Sequence, residues 1–588
     1  MGKIVLSNNM EWMRSLHSCF QDSFSTSFLK DEGIFHVHSY RKICTQEDNY
    51  FQDGNNYVVV VGTVFYKGMC GKDSLEQLLK DSQTKDTSAL RKEMIGSYAV
   101  VLKVEDTIRI FLDETQTYHL YYYLDGKNFV LTNTYWHIAN VVGLGIDEAP
   151  LIEKGVRNGI LSNRTPIDKV FKLGAREMIE INLKTQEIGI KEVKLNDYHR
   201  DYSTLDEAVG DVAKSIEKIA TIRSHNIKNC MHFLTGGIDS RVEAAIHLWA
   251  GDKLTFAYWK GEDALTNGTS EDYQVVTSIA SEKNIPFKFI DVSEEFSDSL
   301  GSIDYNKCKK YGEYAAVYSG NTKITSLFEQ ATEYDWVGFG YLGESMRPLG
   351  ALDDSYHNDF SILDFVKKVY CRTGIEKLFE LDGFYEFVSN EILDLPIRNN
   401  ETLSIDDSFR IFSFSRFDAD CYMNNFSNMF LHNFPIFGQK EIADKIDSIH
   451  YKWFSNEVFS LKMVDHFDKT LLEKTIFSHH REFSFDKRTF TMKKSYKYLF
   501  LDKMKKIFKD TFVYKNLYLK WLHVYIRPQS SKNEEIANEC IKRIENIALL
   551  RNSSINVKFD GAWDGTDVGT LAQFVSELII LDKLGEKG

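Results

Sequence analysis

Proline is scarce in this chain: seven among 588 residues, with no Pro/Ser-rich stretch between its parts. Any two folded units are therefore expected to pack against each other and not to hang on a tether. Cysteine is scarce too. The eight (Cys19, Cys44, Cys70, Cys230, Cys308, Cys371, Cys421 and Cys540) include no CxxC pair, which argues against a zinc knuckle or a disulfide scaffold. Also missing is any uninterrupted apolar run near the ~20 residues that a membrane helix needs. The opening MGKIVLSNNMEWMRS has no signal-peptide core, and Leu6 stands where a myristoylation signal wants Ser or Thr. A cytoplasmic chain without a membrane span is expected. Positive charge falls short of negative by 14, so neutralisation of nucleic-acid phosphates is not expected.

What is present is the composition of a globular enzyme, 43% hydrophobic and 27% charged. At roughly 150 residues per domain the length suggests two to four units, and two is the working number. From Tyr57 to Leu183 short β-rich runs (YVVVVGTVFY, GSYAVVLKV, TIRIFLD, LYYYLDGKNFVLTN, MIEINL) alternate with turns. After Tyr198 helices interleave with short apolar strands, the pattern of an α/β sheet. The boundary is expected between Asn196 and Ser203, giving units 1–197 and 198–588. Beyond about Ile405 the chain reads as largely helical, with aromatic stripes such as FRIFSFSRFDADCYMNNFSNMF that belong to a core.

One segment carries chemistry. NCMHFL (Asn229 to Leu234) is a short apolar strand leading into TGGIDSRVEAAIHLWA, where Val242, Ala245, Ile246 and Trp249 recur at helical spacing. Gly236 and Gly237 let the backbone approach an anion, Ser240 is expected to cap the helix, and the helix N-terminus offers N–H groups and partial positive charge. The spacing is not that of a Walker loop, and Asp239 follows the glycines where that motif has Lys. An acid beside phosphate calls for a metal between them, which makes Asp239 a candidate Mg²⁺ ligand.

FLTGGIDS resembles the SGGxDS pyrophosphate loop of the asparagine synthetase superfamily, and later segments follow that family's order. TFAYWKG resembles the strand that reads adenine, EDYQVVTSIASEKNIPFKFIDV the next helix and strand, YDWVGFGYLGESMR the strand and loop of the second metal-binding acid, and FDKRTF the segment whose Lys contacts the reacting phosphate. VVGTVFYKGMCGKDSLEQLL, GSYAVVL and FLDETQTYHLYYY resemble segments of the family's N-terminal glutaminase. The resemblance covers most of the chain. It implies an N-terminal-nucleophile (Ntn) αββα sandwich followed by an α/β ATP-pyrophosphatase domain with a helical C-terminal part. It also implies ATP and Mg²⁺ as cofactors, with Leu234, Thr235, Gly236, Gly237, Asp239, Ser240, Ala257, Tyr258, Gly338, Phe339 and Gly340 around the nucleotide.

The sequence departs from the family at telling places. The glutaminase needs Cys at position 2; here it is Gly2, and the NGE clamp has become Val61-Gly62-Thr63. β-Lactam synthetases and lasso peptide cyclases likewise keep the fold without the nucleophile and take the amine from the substrate. Phe339 stands where asparagine synthetases carry Glu, β-lactam synthetase Tyr and a lasso cyclase His. Leu342 aligns with the second metal-binding acid, a role that one inserted residue moves to Glu344. Lys487 is assigned to the transition state, with Arg488 its close competitor. The ExRxPFLD segment survives only as LHNFPIFGQ, so the acceptor cannot be carried over.

The expected activity is adenylation of a substrate carboxylate, with release of pyrophosphate and then AMP as an amine attacks. A lasso-type macrocyclase or lactam-forming synthetase suits it best, and a precursor peptide would come with a delivering leader-binding protein or protease. Two alternatives stand beside it: an amidotransferase using ammonia from solution or another subunit on an amino acid or sugar uronate, and a binding or scaffold protein with a decayed site.

Overall fold

The computed structural model describes residues 2–260, 271–291, 330–346, 360–371, 383–395, 402–478, 481–487 and 491–494, less positions 22, 46 and 158, together with 379–380 and scattered residues from 538 to 582. It is a mixed α/β protein. None of its described helices is long and apolar enough to cross a membrane.

Strands β1 (Lys3–Ser7), β2 (Thr26–Glu32), β3 (Phe35–Tyr40), β8 (Tyr121–Asp125), β9 (Asn128–Thr132) and β10 (Val170–Lys172) form one antiparallel sheet in the order β10-β8-β9-β1-β3-β2. Strands β4 (Tyr50–Asp53), β5 (Asn56–Tyr66), β6 (Met94–Val104), β7 (Thr107–Leu112), β11 (Glu177–Asn182) and β12 (Glu187–Glu192) form a second, ordered β12-β11-β7-β6-β5-β4. The run Tyr57 to Val61 shows why both faces are covered. Alternate side chains of a strand point to opposite faces. Tyr57, Val59 and Val61 meet Ile4, Leu6 and Val37 of the other sheet, while Val58 and Val60 meet Leu75, Leu78 and Leu79 of helix α2 (Gly71–Asp81). On the other outer face Val5 and Val130 pack with Met13, Leu16 and Phe20 of helix α1 (Met10–Phe20). The result is helix, sheet, sheet, helix. Strands β1 to β4 lie before the region in which the sequence showed strands, because TSFLKDE and YFQD are short and mix charge with apolar residues.

The second architecture begins with helix α6 (Leu205–Asn226), whose N-cap Thr204 accepts from Glu207 N. Strands β13 (Cys230–Phe233), β14 (Leu254–Lys260), β15 (Phe287–Asp291) and β16 (Trp336–Gly338) form a parallel sheet ordered β15-β14-β13-β16. Helix α7 (Ile238–Ala250) joins β13 to β14, and helix α8 (Glu271–Lys283) joins β14 to β15. Chain order reverses between β13 and β16, and open parallel sheets bind ligands beyond the carboxyl ends of strands at such a switch. Helices Ile405–Phe430, Lys440–Asp447 and Val458–Asp468 follow. The expectation of a helical remainder is corrected at Ile476–Ser478, Arg481–Asp486 and Thr491–Lys494, which form a three-stranded antiparallel sheet. Its period-two pattern sets Phe483 and Phe485 against the core.

The two architectures pack directly. Helix Ile405–Phe430 lies against the sandwich: Asn424 Nδ2 donates to Thr117 O at 2.8 Å, and Asn428 Oδ1 accepts from Thr63 Oγ1 at 2.7 Å and Lys42 Nζ at 3.1 Å. Lys172 pairs with buried Asp418. Within the sandwich, Gly62 (φ +91°) and Gly96 (φ +135°) allow the close pairing of β5 and β6, since a Cβ on either would lie 2.1 Å from a carbonyl oxygen of the neighbouring strand.

Candidate functional site

The turn between β13 and α7 is a closed set of hydrogen bonds. Leu234 N donates to Ala257 O at 3.0 Å, which extends the β13–β14 ladder by one residue. Ser240 Oγ accepts from Thr235 N at 3.1 Å and lies 2.9 Å from Thr235 Oγ1, which in turn accepts from Gly237 N at 3.2 Å. The expected cap is corrected here. Gly237 is the N-cap and provides no side-chain bond, and Ser240, three residues further in, reaches back to tie the turn together. Gly236 N donates to Asp272 Oδ1 at 2.7 Å. The amide thus faces the oxygen of a carboxylate, at the N-terminal end of a helix where anions are favoured.

The loop after β16 closes over the turn. A Cβ on Gly340 would fall 2.6 Å from Ser240 N, and one on Gly343 would fall 2.5 Å from Asp239 Cβ and 3.1 Å from its Oδ1. Only glycine lets the backbone lie this near. Gly343 begins a 3₁₀ turn, Gly343–Met346, so the backbone of Glu344 is set one residue from the contact with Asp239; its side chain lies outside the described part. Leu342, buried and in the left-handed region at φ +62°, donates its N–H to Asp420 Oδ2 at 3.3 Å. A non-glycine residue held there stores roughly 1–3 kcal/mol of backbone strain, of the kind that clusters at functional sites.

Above the sheet the rings of Phe233, Phe339 and Tyr341 stack, with centroids 4.8 Å and 4.7 Å apart and planes within 13° and 21°. Tyr258 is buried, stacked on Phe289 and edge-on to Tyr273. The Gly338 backbone faces inward, packed against His232, His247 and Glu243. Lys487 is 73% exposed and pairs with Glu473 at 3.3 Å. Arg488 lies outside the described residues.

Sequence reasoning missed Arg241. Fully buried, it donates to Gly236 O (3.0 Å), Leu471 O (3.0 Å), Lys474 O (3.0 Å) and Thr475 O (2.7 Å), and so clamps the turn to the segment that carries Glu473. Burial lowers its pKa to about 10. Asp272 was missed as well. The signal for Arg241 was a charge on the buried side of helix α7, shared with Glu243 and His247; Asp272 left none, because its partner is 36 residues away.

At the start of the sandwich, Gly2 is buried and donates to Tyr40 O at 3.1 Å. A Cβ there would lie 2.5 Å from Arg41 O and 2.9 Å from Phe24 Cδ1. Thr63 Oγ1 is spent on Asn428 and also accepts from Asn433 N at 3.0 Å. A small cleft lined by Glu47, Thr63, Cys70, Asn226, Asp335 and His432 lies at the opposite ends of β13 and β16 from the glycine turn, so it is not that turn's crevice.

No protein-family model matches the chain, and no curated protein does. Among solved structures, glutamine phosphoribosylpyrophosphate amidotransferase from B. subtilis, complexed with ADP and GMP, is 10% identical, covering 49% of this chain and 65% of that one at a TM-score of 0.22. NMN synthetase from Francisella tularensis is 17% identical, covering 23% of this chain and 54% of that one at 0.17. A structure of the allosteric regulatory enzyme of purine biosynthesis is 11% identical, covering 65% and 88% at 0.22. The chain spans less than two thirds of the first two. Likenesses this slight carry no weight for function.

Proposed function

We propose that this chain is an ATP-dependent carbon–nitrogen ligase of asparagine-synthetase-like type, with residues 1–197 a glutaminase-like Ntn domain lacking its nucleophile and 198–588 the ATP-pyrophosphatase domain. One observation carries the reading: two glycine loops converge on Asp239 at the switch point of a parallel sheet, beside an amide already engaged by an anionic oxygen.

In this reading Thr235, Gly236, Gly237 and Ser240 cradle the phosphates, while Leu234, Ala257, Tyr258, Gly338, Phe339 and Gly340 line the nucleotide. Asp239 and Glu344 offer the oxygen ligands that suit Mg²⁺, whose charge would ease the departure of pyrophosphate. Asp272 leaves Gly236 N as phosphate arrives. Lys487 exchanges its exposed pairing with Glu473 for the reacting phosphate, with Arg488 beside it.

In this reading the amine does not come from glutamine, which is supported by Gly2 at the place of the nucleophile, where a Cβ would lie 2.5 Å from Arg41 O. A substrate that carries its own amine gains most from being held in one site. That favours a lasso-type macrocyclase or a lactam-forming synthetase, with a peptide brought by a leader-binding or protease partner. The test is ATP–pyrophosphate exchange with Mg²⁺ across peptide, amino-acid and uronate carboxylates. Exchange that the Asp239→Ala variant lacks supports the reading. Amidation that appears only with ammonium turns it toward an amidotransferase, and absence of exchange with every carboxylate leaves a scaffold.

A further inference from the structure

Beneath the glycine turn, between β13 and α7, lies a cluster that the ligase chemistry does not use. His232 and His247 are fully buried and Glu243 is 2% exposed. Their tautomers are set by their partners. His232 Nε2 lies 2.8 Å from the carbonyl oxygen of Ser240, which can only accept, so Nε2 carries the proton and Nδ1 a lone pair. His247 Nδ1 lies 2.6 Å from Asp252 Oδ2, itself held by Arg223 Nη2 at 2.7 Å. Here too the carboxylate accepts, and Nε2 is left with the lone pair. Among the described residues neither His232 Nδ1 nor His247 Nε2 has a hydrogen-bond partner.

These two nitrogens and a Glu243 oxygen lie within 4.8 Å of one another. They also face Gly338: a Cβ there would lie 2.8 Å from His232 Nδ1, 3.0 Å from His247 Nε2 and 3.3 Å from Glu243 Oε1, so a side chain at that position would crowd all three atoms. Two imidazole lone pairs face one carboxyl group in a buried place, so even a protonated carboxyl leaves at least one lone pair without a donor, an arrangement that costs free energy unless a cation sits among them. The outer bonds are those of metal sites, in which a ligating histidine donates its other N–H to a carboxylate or backbone carbonyl.

We propose that His232, Glu243 and His247 form a buried site for one divalent transition ion of the Zn²⁺ class, structural in role. Two nitrogens and one oxygen suit Zn²⁺ better than Mg²⁺ or Ca²⁺, which favour oxygen. With ligand atoms up to 4.8 Å apart, each would close on the ion by up to ~0.7 Å to reach bonding distance. Cys230 is not in the set: it groups with His247 and Asp252, whose own hydrogen bond occupies His247 Nδ1. The ion joins β13 to α7 under β16, and through His232 Nε2 it steadies Ser240, which ties the glycine turn.

The full chain, incubated with Zn²⁺ and dialysed, is expected to retain about one ion per chain, with X-ray absorption reading two imidazoles, oxygen and no sulfur. The single variants His247→Gln and Glu243→Gln are expected to lose it, and His225→Gln, an exposed histidine of α6, to keep it. Wild-type chain that retains no zinc, a sulfur shell, or full retention by the His232→Gln/His247→Gln double variant overturns the proposal. The wild-type measurement decides even where a variant does not fold.

Discussion

At two places in this molecule glycine lets backbone or side chains crowd in, with opposite consequences. Beyond β13 and β16, Gly340 and Gly343 draw one loop onto Asp239 and Ser240 and bring the candidate site together. At the head of the sandwich, Gly2 lets Arg41 O and Phe24 fill the place of a side chain, and no room is left for one. The layers around Gly2 are as complete as those around Asp239, because a sheet needs alternating apolar residues over dozens of positions whereas a nucleophile needs one atom.

The strongest test of this contrast is Asp239→Ala, expected to lower ATP–pyrophosphate exchange by roughly 10²-fold or more; unchanged exchange would refute the metal assignment. Next comes Arg241→Met, which leaves four carbonyls without their buried donor. A loss of roughly 3 kcal/mol is expected, read as a lower melting temperature together with weaker nucleotide binding. Gly2→Cys probes the other end: no glutamine hydrolysis and a destabilisation of about 1–3 kcal/mol are expected, because the Cβ collides with a backbone oxygen. Glutaminase activity in that variant would break the comparison.

Asp272→Asn should tighten ATP binding by roughly 1 kcal/mol, as the phosphate then displaces an amide in place of a charge; weaker binding would make Asp272 a metal ligand. A further test is one of pH. Burial raises the pKa of Glu153, which accepts from Tyr370 Oη at 2.6 Å and Leu161 N at 3.0 Å, from 4.5 to about 7. The folded state binds the proton more tightly, so this contribution is full below pH 4.5 and is lost as pH rises through about 7. Melting curves of Glu153→Gln should be flatter than wild type across that window.

The strand, glycine turn and helix at Thr235 to Ser240 were legible in the sequence because they are local: an apolar run, two glycines and a helical period lie within twenty residues. The strands from Tyr57 onward were legible for the same reason, and their side-chain alternation holds in the packed sheets. The hairpin sheet after Ile476 was not, since its aromatic residues fit helix and strand patterns alike until partners 3 to 11 residues apart pair up.

What the sequence by itself determined is the type and order of the local elements and the residues of the glycine turn, because period and backbone permissiveness act over a few residues. Only the tertiary structure decided that Asp272 answers Gly236, that Arg241 clamps the turn to Leu471–Thr475, that Gly338 sits over two histidines and a glutamate, and that Gly2 has no room for a thiol. Each of these is a contact between residues distant in the chain. A sequence read along its length does not show which distant residues the strand order of a sheet will bring together.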